Sequence, residues 1–172
     1  MGVFFLVWGG QWLSWLGSGL SSFALGIWMY ERTGSPTQFA LTVLAITLPR
    51  MLLAPVAGPL VDRWDRRLVM LASDSGAALV TLVLALLLWA EQLAVWHIYL
   101  GMLLSAACGT FQRPAYAASV TLLVPTAQYG RANGLINFAR SSADLAAPLL
   151  AGYLTLWLGL APLLLLDVAT FL

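Results

Sequence analysis

The chain has 172 residues, 61% of them hydrophobic and 9% charged, with a net charge of +1, whereas an average soluble domain carries roughly 25% charged residues. A soluble core of this size cannot hide so much apolar side chain, so the surplus must face lipid, where only helices or closed barrels satisfy every backbone N–H and C=O. Eight arginines without a single lysine form no basic stripe, which excludes a nucleic-acid footprint, and one cysteine, Cys108, with one histidine, His97, supplies neither an intrachain disulfide nor a structural zinc site.

Barrel strands would appear as alternating segments of about ten residues. The apolar runs here are instead near or above the roughly 20 residues that a helix needs to cross about 30 Å of hydrocarbon. The first extends from Val3 to Tyr30 without a formal charge and ends at Glu31, Arg32 and the turn-forming Thr33-Gly34-Ser35-Pro36. It reads as a membrane helix and not a cleaved signal peptide, because it has no positive n-region, is too long for an h-region and shows no small-residue cleavage site. The second, Phe39 to Val61, is interrupted only by Arg50, and the densest charge cluster follows it, Asp62-Arg63-Trp64-Asp65-Arg66-Arg67. The third runs from Leu68 to Trp89 and closes at Glu91-Gln92. The fourth runs from Val95 to Val124 and ends at Pro125 and the polar stretch Thr126 to Arg131. The fifth spans Ala132 to Trp157, and the sixth starts near Leu160 and reaches Leu172. Thirteen residues give about 20 Å of helix, short of a bilayer crossing, so the sixth is expected to be truncated and the chain to be a fragment.

Arginine placement sets the expected orientation. Arg63, Arg66 and Arg67 lie between the second and third helices and Arg131 between the fourth and fifth, all on one side by alternation, against Arg32 on the other. The N-terminus is therefore expected in the cytoplasm, with Trp89, Trp96, Tyr99 and Trp157 at the outer ends as an interfacial belt.

The strongest motif is the string Gly58-Pro59-Leu60-Val61-Asp62-Arg63-Trp64-Asp65-Arg66-Arg67. In physical terms Gly58 permits close helix approach, Asp62 at a helix end can meet an arginine or a helix N-terminus, and Arg63, Arg66 and Arg67 hold the loop at an anionic leaflet. The string resembles motif A of the major facilitator superfamily, with a glycine four residues before Asp-Arg and then a basic pair, at the same inter-helix position. That pattern usually has glycine where this chain has Asp65. The resemblance implies a gating latch; the alternative is a positive-inside loop with no gating role.

In the fifth helix, Ala147-Pro148-Leu149-Leu150-Ala151-Gly152 resembles the Gly-Pro-x-x-x-Gly core of the superfamily's motif C, with alanine before Pro148. The second helix carries a related string, Ala54-Pro55-Val56-Ala57-Gly58. Matched Pro and Gly interruptions in two repeats point to moving helices near a binding site, although both residues are common in membrane helices anyway. Phe111-Gln112-Arg113-Pro114-Ala115, Leu123-Val124-Pro125, Arg131-Ala132-Asn133-Gly134-Leu135 and Asp167-Val168-Ala169-Thr170-Phe171 extend the resemblance over the whole chain. They look most like the macrolide-efflux-like drug:proton antiporters of that superfamily. The resemblance implies an all-α membrane protein: residues 1–172 as the N-terminal six-helix half of a twelve-helix facilitator fold, with inverted three-plus-three repeats, in the bacterial inner membrane. A C-terminal six-helix half is then the expected partner, together with lipid, a small-molecule substrate and protons.

Gly10, Ser14, Ser18, Ser22 and Gly26 recur at intervals of four in the first helix, with Gln11 beside them. Either Gln11, Ser14 and Ser18 line a substrate cavity, or the row is a packing seam of small residues. Charges inside spans cost roughly 2.5–3.5 kcal/mol on insertion scales, so Arg50, Asp74, Arg113, Arg140, Asp144 and Asp167 need protein or water partners. Arg140 and Asp144 lie one turn apart on one face. Asp144, near mid-span, is either the carboxyl that exchanges the coupling proton or a structural partner of Arg140. Arg113 and Asp74 are read as anchors of a cytoplasmic gate, Arg50 as lining the cavity or snorkelling, and Asp167 as packing the sixth helix. His97 reads as an interfacial residue.

The expected function is secondary transport by alternating access, with export of small amphipathic molecules and proton antiport both implied by the resemblance. An enzyme is not expected, since the chain lacks a His-Glu-x-x-His motif, a Gly-x-Ser-x-Gly elbow and a P-loop, and no cofactor is called for. The other reading is a non-transporting assembly or receptor module derived from half a transporter.

Overall fold

The polar interruptions of the sequence become helix boundaries for identifiable reasons. The computed structural model describes residues 2–171, so Met1 and Leu172, the two ends of the predicted domain, lie outside the described residues. The helices are α1 (Gly2–Thr33), α2 (Pro36–Val61), α3 (Arg66–Trp89), α4 (Val95–Leu123), α5 (Tyr129–Leu158) and α6 (Leu160–Thr170), with a 3-10 turn, Thr126–Gln128, before α5. Gly34, at φ 62°, ends α1 and donates its N–H to the Tyr30 carbonyl at 2.8 Å. A left-handed residue after a helix is the conformation that glycine takes without a Cβ penalty. α2 starts three residues ahead of its apolar run because Ser35 caps it and Pro36 occupies the first turn, where its missing N–H costs nothing.

Asp65 has a comparable role. It N-caps α3, its carboxylate accepting from the N–H groups of Arg67 at 2.8 Å and Leu68 at 3.4 Å. The residue that departs from the motif A pattern thus starts the next helix. Asp65→Ala should cost about 1 kcal/mol of local stability, read as faster amide exchange over the first turn of α3 with the rest of the chain unchanged. His97 serves α4 in the same way: Ala94 N–H donates to its Nδ1 at 3.0 Å, and the ring lies against Trp96.

Packing links the two triplets of helices in an exchanged pattern. α2 packs on α4 and α5 on α1; α3 packs on α4 and α6 on α1; and α3 meets α6. Each helix therefore finds its main neighbours in the opposite triplet. Leu25, Met29, Leu84, Ile98, Met102, Leu163 and Leu164 form a core toward one end of the bundle. Phe4, Tyr116, Val120, Val124 and Ala132, with Val61, Val69 and Ala115 nearby, close the other.

The exterior is apolar to a degree that water does not tolerate. Leu6, Met51, Leu122, Leu145, Leu149 and Leu156 are each more than two-thirds exposed, while soluble monomers rarely present contiguous apolar patches beyond a few hundred Å². Trp89, Trp96 and Trp157 are exposed at one end, and Tyr99, half-buried, donates to the Gln38 carbonyl at 3.1 Å. Among the described residues, α2 and α3 are the helices both long and apolar enough to cross a membrane. α1, α4 and α5 are long but carry serines, Gln11, Gln112, Arg113, Arg140 and Asp144. α6 has 11 residues, about 16 Å of helix.

Small residues set the close contacts, and of the glycines that the sequence motifs single out only Gly26 is among them. A Cβ on Gly19 would sit 2.6 Å from the Ala147 Cβ, and one on Gly17 would sit 2.6 Å from Thr170 Oγ1. A Cβ on Gly26 would lie 2.9 Å from the Phe39 ring. Nothing lies within 4 Å of such a Cβ at Gly58, Gly152 or Gly10. The close approach expected at Gly58 is therefore corrected: within this chain a Cβ there, as at Gly152, would face open space. Alanines at 132, 139, 143, 147 and 151 supply the buried face of α5 instead.

Candidate functional site

Between the two apolar ends lies a cavity of about 150 Å³, reached by all six helices. α1 contributes Ser14, Trp15, Ser18, Ser21 and Ser22, and α2 contributes Arg50. α3 brings Asp74 and Thr81, α4 brings Gln112 and Arg113, α5 brings Arg140, and α6 brings Asp167. Residues of the same face recur every three or four positions on a helix, which is why four serines of α1 reach one wall. The row at intervals of four is thus a cavity wall over Ser14, Ser18 and Ser22, and the packing seam is displaced to Gly17 and Gly19.

Two polar networks hold this wall together. Gln112 Nε2 donates to Gln11 Oε1 at 2.7 Å and to Asp74 Oδ1 at 3.0 Å, tying α4 to α1 and α3. Gln11 is buried behind the cavity surface, so it braces the site and does not line it. Asp167, 2% exposed, accepts from Ser18 Oγ on Oδ1 at 3.2 Å and from Thr81 Oγ1 on Oδ2 at 3.2 Å. Ser21 Oγ donates to the Leu163 carbonyl at 3.3 Å beside it. A hydrogen bond to a charged acceptor contributes about 1.5–3 kcal/mol net, and an unmet buried charge costs more than that.

The arginines behave differently. The Arg140 guanidinium stands over the Trp15 ring, 5.4 Å from its centroid, a cation–π contact. Among the described residues it makes no salt bridge to Asp144, although the two are one turn apart, and Asp144 is exposed. The expected ion pair is accordingly corrected: the aromatic face of Trp15 draws the guanidinium inward, away from the outward-facing carboxylate. Arg50, Arg113, Arg140 and Asp144 are close enough for their charges to act on one another. The exposed Arg50 and Arg113 mark the side on which the cavity opens. Arg113 and Asp74, read from sequence as anchors of a cytoplasmic gate, both line the cavity, because each lies well inside its helix.

The motif A residues sit apart, at one end of the bundle. Asp62 ends α2, its N–H bonded to the carbonyls of Gly58 and Leu60, and its exposed carboxylate has no hydrogen-bond partner among the described residues. Arg63 and Arg67 are exposed. Arg66 Nη1 donates to the Ala118 carbonyl at 3.4 Å, linking the start of α3 to α4. Pro148 lies within α5, half-buried, one residue after the Ala147 that meets Gly19.

Sequence reasoning did not place Asp167, Thr81 or Gln112 on a common site. The available signal was periodic: Asp74, Ala77 and Thr81 share one face of α3 at spacings of three and four, and only the packing of α3 against α1 and α6 gives that face a partner.

The chain matches the Major Facilitator Superfamily over residues 7–172. It is 29% identical over 151 residues to Macrolide efflux protein A of Streptococcus pyogenes, which covers 88% of this chain and 37% of that protein. It is 29% identical over 121 residues to Macrolide efflux protein A of Enterococcus faecalis, covering 70% of this chain and 37% of the relative. It is also 27% identical over 125 residues to a protein of Bacillus subtilis (strain 168) described as an uncharacterized MFS-type transporter, YfiS, covering 73% and 29%. The chain thus spans between 29% and 37% of the length of these curated relatives. A helical membrane bundle around a polar, charged cavity, together with this match, establishes that the chain belongs to the major facilitator superfamily of transporters.

Proposed function

We propose that this chain is the N-terminal half of a proton-coupled antiporter that exports small amphipathic molecules by alternating access. The carrying observation is the cavity itself, with hydroxyl, carboxyl and guanidinium groups from all six helices inside an apolar-coated bundle. At about 150 Å³ it is smaller than the roughly 300–1,000 Å³ of a drug-sized ligand site, which suits a half-site completed by a second six-helix bundle across the open side of Arg50 and Arg113. Similarity to two macrolide efflux proteins supports export.

In this reading α1 to α5 cross the bacterial inner membrane and α6, at 11 residues, enters it, with the N-terminus and the arginine-rich loops in the cytoplasm. The exchanged packing of the two triplets is what an inverted three-plus-three repeat produces, and the repeat gives alternating access its two-state geometry. The test is efflux of a fluorescent amphipathic compound from cells making the intact transporter. Expression should lower dye accumulation, and collapsing the proton gradient should restore it. Accumulation that ignores expression would favour a non-transporting module, and efflux that ignores the gradient would remove the proton.

The motif A loop is assigned the latch. Asp62 presents an exposed carboxylate at the end of α2, free to meet a helix N-terminus or arginine of a second bundle in one of the two states. Asp62→Asn should leave membrane insertion intact and strongly slow transport, since it removes one charge and no span. Wild-type efflux at equal expression would end the gating assignment.

A further inference from the structure

Three acids stand in or beside the cavity, and their surroundings differ in kind. Asp144 is exposed on α5 near Arg50, Arg113 and Arg140. Asp74 receives the amide N–H of Gln112 on Oδ1, from a nitrogen that can donate but never accept. Asp167 is 2% exposed, touches the cavity, and meets Ser18 and Thr81 through hydroxyls on both oxygens.

A hydroxyl donates to a carboxylate and, after rotating, accepts from a carboxylic acid. In a helix its own O–H then turns to the carbonyl of the preceding turn, the bond that Thr110 already makes to Ala106 at 2.8 Å. The Asp167 seat therefore satisfies both protonation states without moving the backbone. An arginine partner would satisfy only one. The charged and titratable groups around the cavity are Arg50 on α2, Asp74 on α3, Arg113 on α4 and Arg140 on α5; α1 offers Ser14, Ser18, Ser21 and Ser22. None of the arginines forms a salt bridge with Asp167 among the described residues, whose hydrogen-bond partners are hydroxyls.

Position adds the second requirement. Asp167 lies where α6 meets α1 and α3, and Gly17 on α1 is held so close that a Cβ there would sit 3.0 Å from Asp167 Oδ1. A shift of α6 relative to α1 and α3 changes both hydroxyl contacts at once and with them the balance between the two protonation states.

From this geometry we infer that Asp167, seated between Ser18 and Thr81, is the carboxyl that takes up and releases the proton exchanged against substrate; the inference rests on the proton-coupled reading above. On uptake a proton from water bonds to one carboxyl oxygen, and the resulting O–H donates to the hydroxyl of Thr81 or Ser18; on release the proton returns to water. No other group is oxidised, reduced or transferred.

The test uses the intact transporter in lipid vesicles. Infrared difference spectra against pH should show a protonated-carboxyl band that titrates in the parent protein and is missing from Asp167→Asn. Gradient-driven export should be lost in that variant, with substrate counterflow retained. Thr81→Val keeps the acid and removes one amphiprotic partner, so the band and its pH midpoint should shift even if Asp167→Asn folds poorly. A band that persists in Asp167→Asn, or one that Thr81→Val leaves unmoved, overturns the assignment. Export by the parent protein that ignores an imposed pH gradient defeats the coupling reading instead, and the infrared titration still decides whether Asp167 binds the proton.

Discussion

Replacing Gly19 by leucine is expected to prevent α1 from seating on α5. The Cβ alone would lie 2.6 Å from the Cβ of Ala147, and a Cβ is anchored to the backbone, so neither side can yield by turning a side chain. Overpacking of this kind costs about 1–3 kcal/mol where a side chain can adjust, and here two helix axes must separate. Because the α1–α5 contact also carries the Trp8 bond to the Leu135 carbonyl and the Trp12 bond to Ser142, separation removes those as well. The measurement is the monodisperse fraction and thermal midpoint of the purified protein in detergent. Gly19→Leu should lose most of the former and lower the latter, whereas Gly152→Leu, with nothing within 4 Å, should leave the six-helix bundle as stable as before. Equal stability of both variants would refute the contact.

Gln112→Leu should be comparably damaging for an electrostatic reason. Its amide satisfies both Gln11 Oε1 and Asp74 Oδ1. The apolar replacement strands a carboxylate and a buried amide oxygen within the bundle. Leaving a buried polar group unmet costs about 1–3 kcal/mol, and more for a charge. The diagnostic is a double-mutant cycle. If the damage is the stranded carboxylate, Asp74→Leu together with Gln112→Leu should recover much of the stability that Gln112→Leu alone loses. Additive losses would mean that the two side chains act independently and that the bond between them carries little.

These expectations differ in origin. The membrane class, the helical form and the approximate helix positions were legible because apolar runs and charge clusters are local and need no knowledge of the partner helices. The cap at Asp65 rests on a local signal too, Asp before a helix, yet the motif A resemblance reads the same position as one that glycine usually holds. The motif glycines illustrate the converse. Gly58 and Gly152 satisfy a sequence pattern, yet a Cβ on either would meet nothing within 4 Å, while Gly17 and Gly19, outside the interval-of-four row, set the tightest crossings.

By itself the sequence determined that this is an all-helical membrane protein with charged residues inside its apolar runs, since those runs are a matter of composition and periodicity. Which charge meets which partner was decided only by the tertiary structure. Arg140 and Asp144 are neighbours on one helix, so their pairing is the natural reading of spacing, but the Trp15 ring of α1 occupies the guanidinium instead. Ser18, Thr81 and Asp167 lie 149 and 86 residues from their bonding partners along the chain. No local pattern joins them, because what makes them a site is the crossing of α1, α3 and α6, and a crossing is set by the side-chain packing of all three helices together.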